Sequence, residues 1–187
     1  GRLTMMDLKG RLLVAMPTLL DPNFQQSIVL IVEHNLEDGT FGLVLNRPGP
    51  LRVDEFCSSI GISWIGNEDH VVHEGGPVNP SVGWLLHEAD PEQPEATPIV
   101  NGVHLSTSRE ILEKVAMNPN IKRRLYAGYA GWSPGQLAEE MRYGSWLTSD
   151  LPSDIVFSNM KEQAWHRVMK HQGIDPVTLV PGSYEVS

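Results

Sequence analysis

The stretch from Leu125 to Trp146, Leu-Tyr-Ala-Gly-Tyr-Ala-Gly-Trp-Ser-Pro-Gly-Gln-Leu-Ala-Glu-Glu-Met-Arg-Tyr-Gly-Ser-Trp, constrains the fold more than any other part of the chain. A buried-type strand runs into a glycine-bearing turn and then a short helix. Ser133-Pro134-Gly135-Gln136 reads as the helix start. The Ser133 hydroxyl is placed to cap the amide at the third helical position, Pro134 sits where no donor is needed, and Gln136 can reach back to the Ser133 amide. Leu137 and Met141 share one helical face, and Gly144 suits the left-handed position just past the end. The expected unit is strand, tight turn, capped helix.

The same residues spell Gly131-x-Ser133-x-Gly135, the nucleophile-elbow pattern of serine hydrolases, in the strand–turn–helix setting it requires. Asp150 or Asp154, then His166 or His171, even follow in a suitable order. Pro134 argues against that chemistry. The oxyanion hole of such enzymes uses the backbone N–H after the nucleophile, and proline has none. Losing one such donor costs about 3–4 kcal/mol of transition-state stabilisation. Ser133 is therefore read as a cap.

A chain of 187 residues is expected to form one domain, spanning 1–187 with a core over 7–180 and loosely ordered ends at 1–6 and 181–187. One cysteine excludes an internal disulfide framework and suits a reducing compartment. Val53, Phe56, Cys57 and Ile60 fall on one helical face, which makes Cys57 a core residue. The formal charge of −9 repels phosphate backbones and anionic membranes. Lys122-Arg123-Arg124, the one basic cluster, reads as a solvated strand edge. The apolar run after Lys9 is interrupted by Pro17 and lacks a cleavage site, so a strand over residues 11–15 is preferred to a signal peptide.

Residues 27–34 form an apolar run typical of a strand covered on both faces, and turn chemistry from Asn35 to Gly39 joins it to a second strand over 40–46 as a hairpin. Residues 71–74, the Gly75-Gly76-Pro77 turn and residues 82–87 read as another strand pair. The acidic, proline-rich segment 88–98 is a loop. Thr107 with Glu110 predicts a capping box for a helix over 108–117, stopped by Asn118-Pro119. A strand is expected over 154–157, then a helix capped by Asn159 with Glu162, carrying Trp165, Val168 and Met169 on one face and closed by Gly173. Hairpins mixed with separated helices predict an α+β fold.

Constellations for chemistry are thin. His70 and His73 point to opposite faces of a strand and cannot share an ion. His34, His73 and His87 sit at strand ends, where a structural or solvated role is the ordinary one, so no metal or cofactor is expected. Glu139 and Glu140 complement the helix start and make the turn a poor anion site. Glycines at 75, 76, 128 and 131 surrender backbone entropy for a special dihedral or a close approach. Two readings of that approach stay open. In one, Trp132 is a core anchor and the glycines make room for it. In the other, Trp132 keeps an exposed face and Arg47 is incompletely paired. Trp132, Gln136 and Glu140 then join Asn46, Arg47 and Gly75-Gly76-Pro77 in a ligand or partner surface.

Taken together, Gly10-x-Leu-Leu-x-Ala-x-Pro17, Phe24 with the strand ending Glu33-His34, Gly42-Leu-Val-Leu-Asn-Arg-Pro48, Gly75-Gly-Pro-Val78, Leu86-His87 and Gly128-Tyr-Ala-Gly-Trp-x-x-Gly-Gln-Leu-x-x-Glu140 with Trp146 resemble the AlgH/YqgE family of bacterial proteins, from about Asp7 to about Val180. The resemblance implies a compact α+β fold with a branched, mixed but mostly antiparallel sheet, a small barrel and flanking helices. It brings no established activity. A label of transcriptional regulator is attached to the family through alginate synthesis in pseudomonads, but no helix-turn-helix supports it in this sequence, and direct DNA binding is not expected. The expected protein is cytoplasmic, membrane-free and bacterial, a binding or regulatory module acting through a small molecule or protein partner. A DNA-touching regulator, or an enzyme using Glu140, His34 and His87 in a cleft, are the alternatives.

Overall fold

The structure is a computed structural model that describes residues 8–66, 70–89, 96–152, 154–158 and 163–175. Among these the first half of the chain forms β1 (Leu12–Ala15), β2 (Ile28–Asn35), β3 (Gly39–Val44), β4 (Pro48–Arg52), α1 (Val53–Ser59), β5 (Val71–Glu74) and β6 (Val78–Glu88). The second half forms β7 (Thr97–Val100), β8 (Val103–Ser106), α2 (Arg109–Ala116), β9 (Arg123–Trp132), α3 (Gln136–Arg142), β10 (Trp146–Ser149) and α4 (Gln163–His171). The fold is α+β, as expected. Contacts divide it into two units, one of residues 1–47 with 130–187 and one of residues 48–129, and β9 runs from the second into the first.

In the first unit the strand order is β10-β1-β2-β3-β9, antiparallel throughout. The β2–β3 hairpin closes at Asn35 and Gly39. Both faces of β1 and β2 are covered: Leu13, Ala15, Val29 and Ile31 pack with Trp132, Leu137 and Trp146, while Leu12, Val14, Ile28 and Leu30 on the opposite face are equally buried. α4 buries Ala164, Trp165, Val168 and Met169, and the Trp165 indole N–H donates to the Ala15 carbonyl at 2.8 Å. Gly173, at φ 75°, ends this helix as expected. The expected Asn159–Glu162 cap, the acidic loop around Asp90 and both chain ends lie outside the described residues. Residues 154–157 are a turn, not the expected strand. The Ile155 and Ser158 amides donate back three residues to Pro152 and Ile155, and the strand that pairs with β1 is β10.

The second unit corrects the expected pairing of residues 71–74 with 82–87. At Tyr126 and Ala127, β9 has β5 on one edge in parallel and β6 on the other in antiparallel, so the two strands are separated by β9. Beyond β5 the chain crosses β9 closely. The Gly75 N–H donates to the Ala127 carbonyl at 2.8 Å, and a Cβ at Gly128 (φ 75°) would lie 2.4 Å from the Gly76 carbonyl oxygen. β4 pairs with β5 outside the main path, which makes the sheet branched as expected; among the described residues the strand path stays open and no barrel closes. β7 and β8 are joined by Asn101-Gly102 at φ 46° and 78°, the conformation of a type I′ hairpin turn.

α1 presents Val53 and Cys57 to the core, with Phe56 and Ile60 packed against it. α2 is capped one residue later than expected: the Ser108 hydroxyl, not Thr107, accepts from the Ile111 amide at 3.3 Å. Of the basic cluster only Lys122 is solvated. Arg123 and Arg124 are buried, and the Arg123 guanidinium donates to the Val115 and Ala116 carbonyls at 2.6 and 2.8 Å, and to Ile65, while covering the Trp64 ring at 3.8 Å. A cation is drawn there because the last carbonyls of α2 carry the negative end of its dipole and keep a free lone pair beside the Asn118 and Ile65 amides that they accept.

Burial pushes the Cys57 thiol from 9.0 up to about 11. The folded chain thus holds this proton more tightly than the unfolded chain. That contribution is complete below pH 9 and is lost as pH rises through about 11. Urea unfolding measured on both sides of pH 9 should show lower stability on the alkaline side, and Cys57→Val should flatten the decline.

Candidate functional site

The segment that dominates the sequence builds its site differently from the expected capped start. Ser133-Pro134-Gly135-Gln136 is a turn: the Gln136 amide donates to the Ser133 carbonyl at 3.0 Å, and Gly135 has φ 81° and ψ −16°. Proline second and glycine third is the signature of a type II turn. Gln136 does reach back to the Ser133 amide at 3.0 Å, but the Ser133 hydroxyl makes no helical cap and instead donates to Gln136 Oε1 at 3.2 Å. Ser133→Ala should therefore change stability by no more than about 0.5 kcal/mol in a thermal melt. A fluorophosphonate probe should leave Ser133 unlabelled.

The far end of α3 follows the sequence reading. Gly144 is left-handed, its amide donates to Met141, and the Ser145 amide donates to Glu140, which together form a Schellman closure. That closure brings Trp146 back beside Trp132, with ring centroids 5.7 Å apart and edge to face. Glu140 sits between them. Its Oε1 accepts the Trp132 indole N–H at 3.1 Å and the Trp146 indole N–H at 2.9 Å, and its Oε2 accepts from Gln136 Nε2 at 2.9 Å. Both tryptophans are 4% exposed. Buried indoles need an acceptor, and one carboxylate serves both.

Asn46 and Arg47 reach the same cluster through a loop. Arg47 donates to the carbonyls of Pro22 and Gln25 at 2.8 and 2.7 Å. Asn46 accepts from the Ile28 amide at 3.0 Å and donates to the Gln26 carbonyl at 2.9 Å. The Asp21 side chain accepts from the Asn23 amide at 2.8 Å. Phe24, at the apex, packs on Trp132 and Trp146 with centroids at 6.0 and 5.6 Å. Asn46, Arg47, Trp132, Gln136 and Glu140 thus gather around the loop of residues 20–27, three of whose carbonyls, with the Ile28 amide beyond it, the first two hold. Gly75, Gly76 and Pro77 belong to the other unit. Trp146 and Phe24 were missed as site members; the helix stop at Gly144 was the available clue for Trp146.

Of the other candidates, His34 Nδ1 lies 2.6 Å from the Thr40 hydroxyl. His87 is fully buried in the second unit, with Nδ1 donating to the Glu88 carbonyl at 2.8 Å and Nε2 beside the Ser106 hydroxyl at 2.9 Å. Among the described residues no three His, Cys, Asp or Glu side chains gather as metal ligands, and no helix is long and apolar enough to cross a membrane.

The fold and this arrangement define an α+β protein with a branched, mostly antiparallel sheet and a tryptophan–glutamate cluster beneath a stapled loop. The comparisons agree on what it is. Residues 12–177 match the family model described as AlgH-like, DUF179, and the chain belongs to that family. It is 41% identical to a UPF0301 protein of Myxococcus xanthus over 180 residues, covering 95% of this chain and 98% of that one. Identity to a UPF0301 protein of Paracoccus denitrificans is also 41%, covering 94% and 95%. The solution structure of the AlgH protein from Pseudomonas aeruginosa superimposes with a TM-score of 0.74 at 31% identity, covering 93% of both chains. The crystal structure of protein DIP2367 from Corynebacterium diphtheriae gives 0.75 at 25% identity, covering 92% and 90%.

Proposed function

We propose that the protein is a non-catalytic binding module that recognises a partner protein through residues 20–26. The observation that carries this reading is the restraint on an exposed loop: two side chains make three hydrogen bonds to its backbone and a fourth to Ile28 just beyond it, and Phe24 anchors it on two tryptophans. A loop ordered in advance does not lose that freedom on binding, which strengthens association without new contacts. Gln26, at φ 55°, is held left-handed, a conformation that costs a non-glycine residue about 1 kcal/mol and persists where the surroundings enforce it. The presented surface is Leu20, 59% exposed, with the amides of Asn23, Gln25 and Gln26.

This surface suits protein better than phosphate. Arg47, the cation bonded to the loop, is engaged with backbone carbonyls, and Asp21 adds negative charge to a chain already at −9. An enzyme centred on Glu140 is disfavoured because three side-chain N–H groups already occupy its carboxylate. Regulation by this protein would act through a protein partner. A photo-crosslinking residue at Gln25 in living cells should give one discrete adduct, absent when the same residue replaces exposed Met117 and lost on Arg47→Ala. No adduct, or the same adducts from both positions, would sink the proposal.

A further inference from the structure

The second unit holds an open cavity of about 200 Å³ between β6 and α2. Phe56, Trp84, Leu85 and Leu112 supply apolar wall, while Thr107 and Arg109 stand at its polar end. Gly83, on β6 at the end of the irregular register that starts at Val78, also lines it and has no steric need to be glycine. Cβ atoms at Gly39, Gly42 and Gly128 would strike backbone oxygens at 2.2, 2.5 and 2.4 Å, but one at Gly83 meets nothing nearer than 4.0 Å, and its φ is not left-handed. A strand-interior glycine weakens a strand and marks a bulge or the close approach of another group, and the space beside Gly83 leaves room for such a group. What its missing side chain leaves is this cavity.

The geometry points to a ligand site for a small single-ring aromatic carboxylate, its ring against the apolar wall and its carboxylate at Arg109. The volume accommodates one ring: a dry cavity of about 150 Å³ accepts benzene, and this open one holds about 200 Å³. The head group follows from the donors at the polar end. The Arg109 guanidinium, the Thr107 hydroxyl and the first amides of α2, a helix of eight residues, all offer hydrogen to an acceptor. Ser108 is already used as the cap. Arg109 contacts Glu113 at 2.9 Å and the Ile60 carbonyl at 2.5 Å, which employs two of its N–H groups and leaves the rest of the fork. The Glu113 pair is an exposed i,i+4 contact, weak enough to yield to a bidentate carboxylate.

The test is titration of the intact protein with phenylacetate, benzyl alcohol and benzylamine, followed by amide and indole NMR shifts. Phenylacetate should saturate with the largest shifts at Trp84, Gly83 and the start of α2. Benzyl alcohol should bind more weakly and benzylamine least. Arg109→Gln should weaken phenylacetate about tenfold while leaving benzyl alcohol unchanged. Gly83→Leu should abolish binding of all three with an unchanged melting temperature. Equal binding of benzylamine and phenylacetate would overturn the carboxylate assignment. No saturable shift at millimolar phenylacetate, or full binding in Gly83→Leu, would overturn the site itself. Should Gly83→Leu fail to fold, the probe series on the natural chain still decides.

Discussion

Glu140→Ala should destabilise the protein by about 3–5 kcal/mol, because it strands two buried indole N–H groups at once, and hydrogen bonds to a charged partner are worth about 1.5–3 kcal/mol each. Trp132 and Trp146 are each 4% exposed, so water cannot readily replace the lost acceptor. Glu140→Gln keeps a carbonyl oxygen for the indoles and disturbs chiefly the contact with Gln136, so its cost should be about 1 kcal/mol. Denaturant unfolding followed by tryptophan emission measures both. A Glu140→Ala variant as stable as the parent would mean that the carboxylate does not hold the cluster. The same variant should also loosen the loop at residues 20–27, since Phe24 rests on both rings.

Arg123→Met should cost a similar amount, about 3–5 kcal/mol, through the loss of three charge-assisted hydrogen bonds to backbone carbonyls. The carbonyls of Ile65, Val115 and Ala116 lose the guanidinium, although Val115 and Ala116 keep the Asn118 and Ile65 amides, and the Trp64 face loses its cation. Methionine preserves most of the apolar stem, so the loss reports the guanidinium itself. Arg123→Lys should recover little, because one ammonium cannot reproduce the planar fork that spans the helix end and Ile65. Burial lowers the Arg123 pKa to about 10, so the group stays charged in both folded and unfolded chains across the neutral range, and this cost should be flat with pH there. Melting temperatures of the two variants across neutral pH check magnitude and flatness together.

The sequence was most legible where one local signal had one structural outcome. The doubly covered β2, its turn at Asn35–Gly39, the apolar face of α1 and the left-handed Gly144 all came out as read. Errors arose where two local motifs share residues. Ser-Pro-Gly-Gln fits both a capping box and a type II turn, and the left-handed Gly135 made the turn win. The Asn101-Gly102 hairpin carried a strong signal that was passed over behind the acidic loop. Other features had no local signature. Nothing near residues 71–87 announces that β9, some forty positions later, will separate β5 from β6. Lys-Arg-Arg looked solvated because three charges rarely enter a core unless carbonyls wait there, and those carbonyls belong to Ile65 and the end of α2. The grouping of Trp132, Gln136 and Glu140 was readable from helical spacing; their burial under Phe24 was not.

The division of the chain at residues 48 and 129 bears on how the protein is made. The second unit leaves the ribosome as one uninterrupted stretch and has all its strands but the end of β9 available together. The first unit does not. β1 must wait for β10, and Arg11 meets Asp150 across 139 positions, Ala15 meets Trp165 across 150. During that interval β1 and β2 are synthesised, apolar on both faces, with neither the tryptophans nor α4 to cover them. Vectorial synthesis thus leaves the most aggregation-prone strands nascent for longest, and chaperones that hold hydrophobic N-terminal segments have a natural client here.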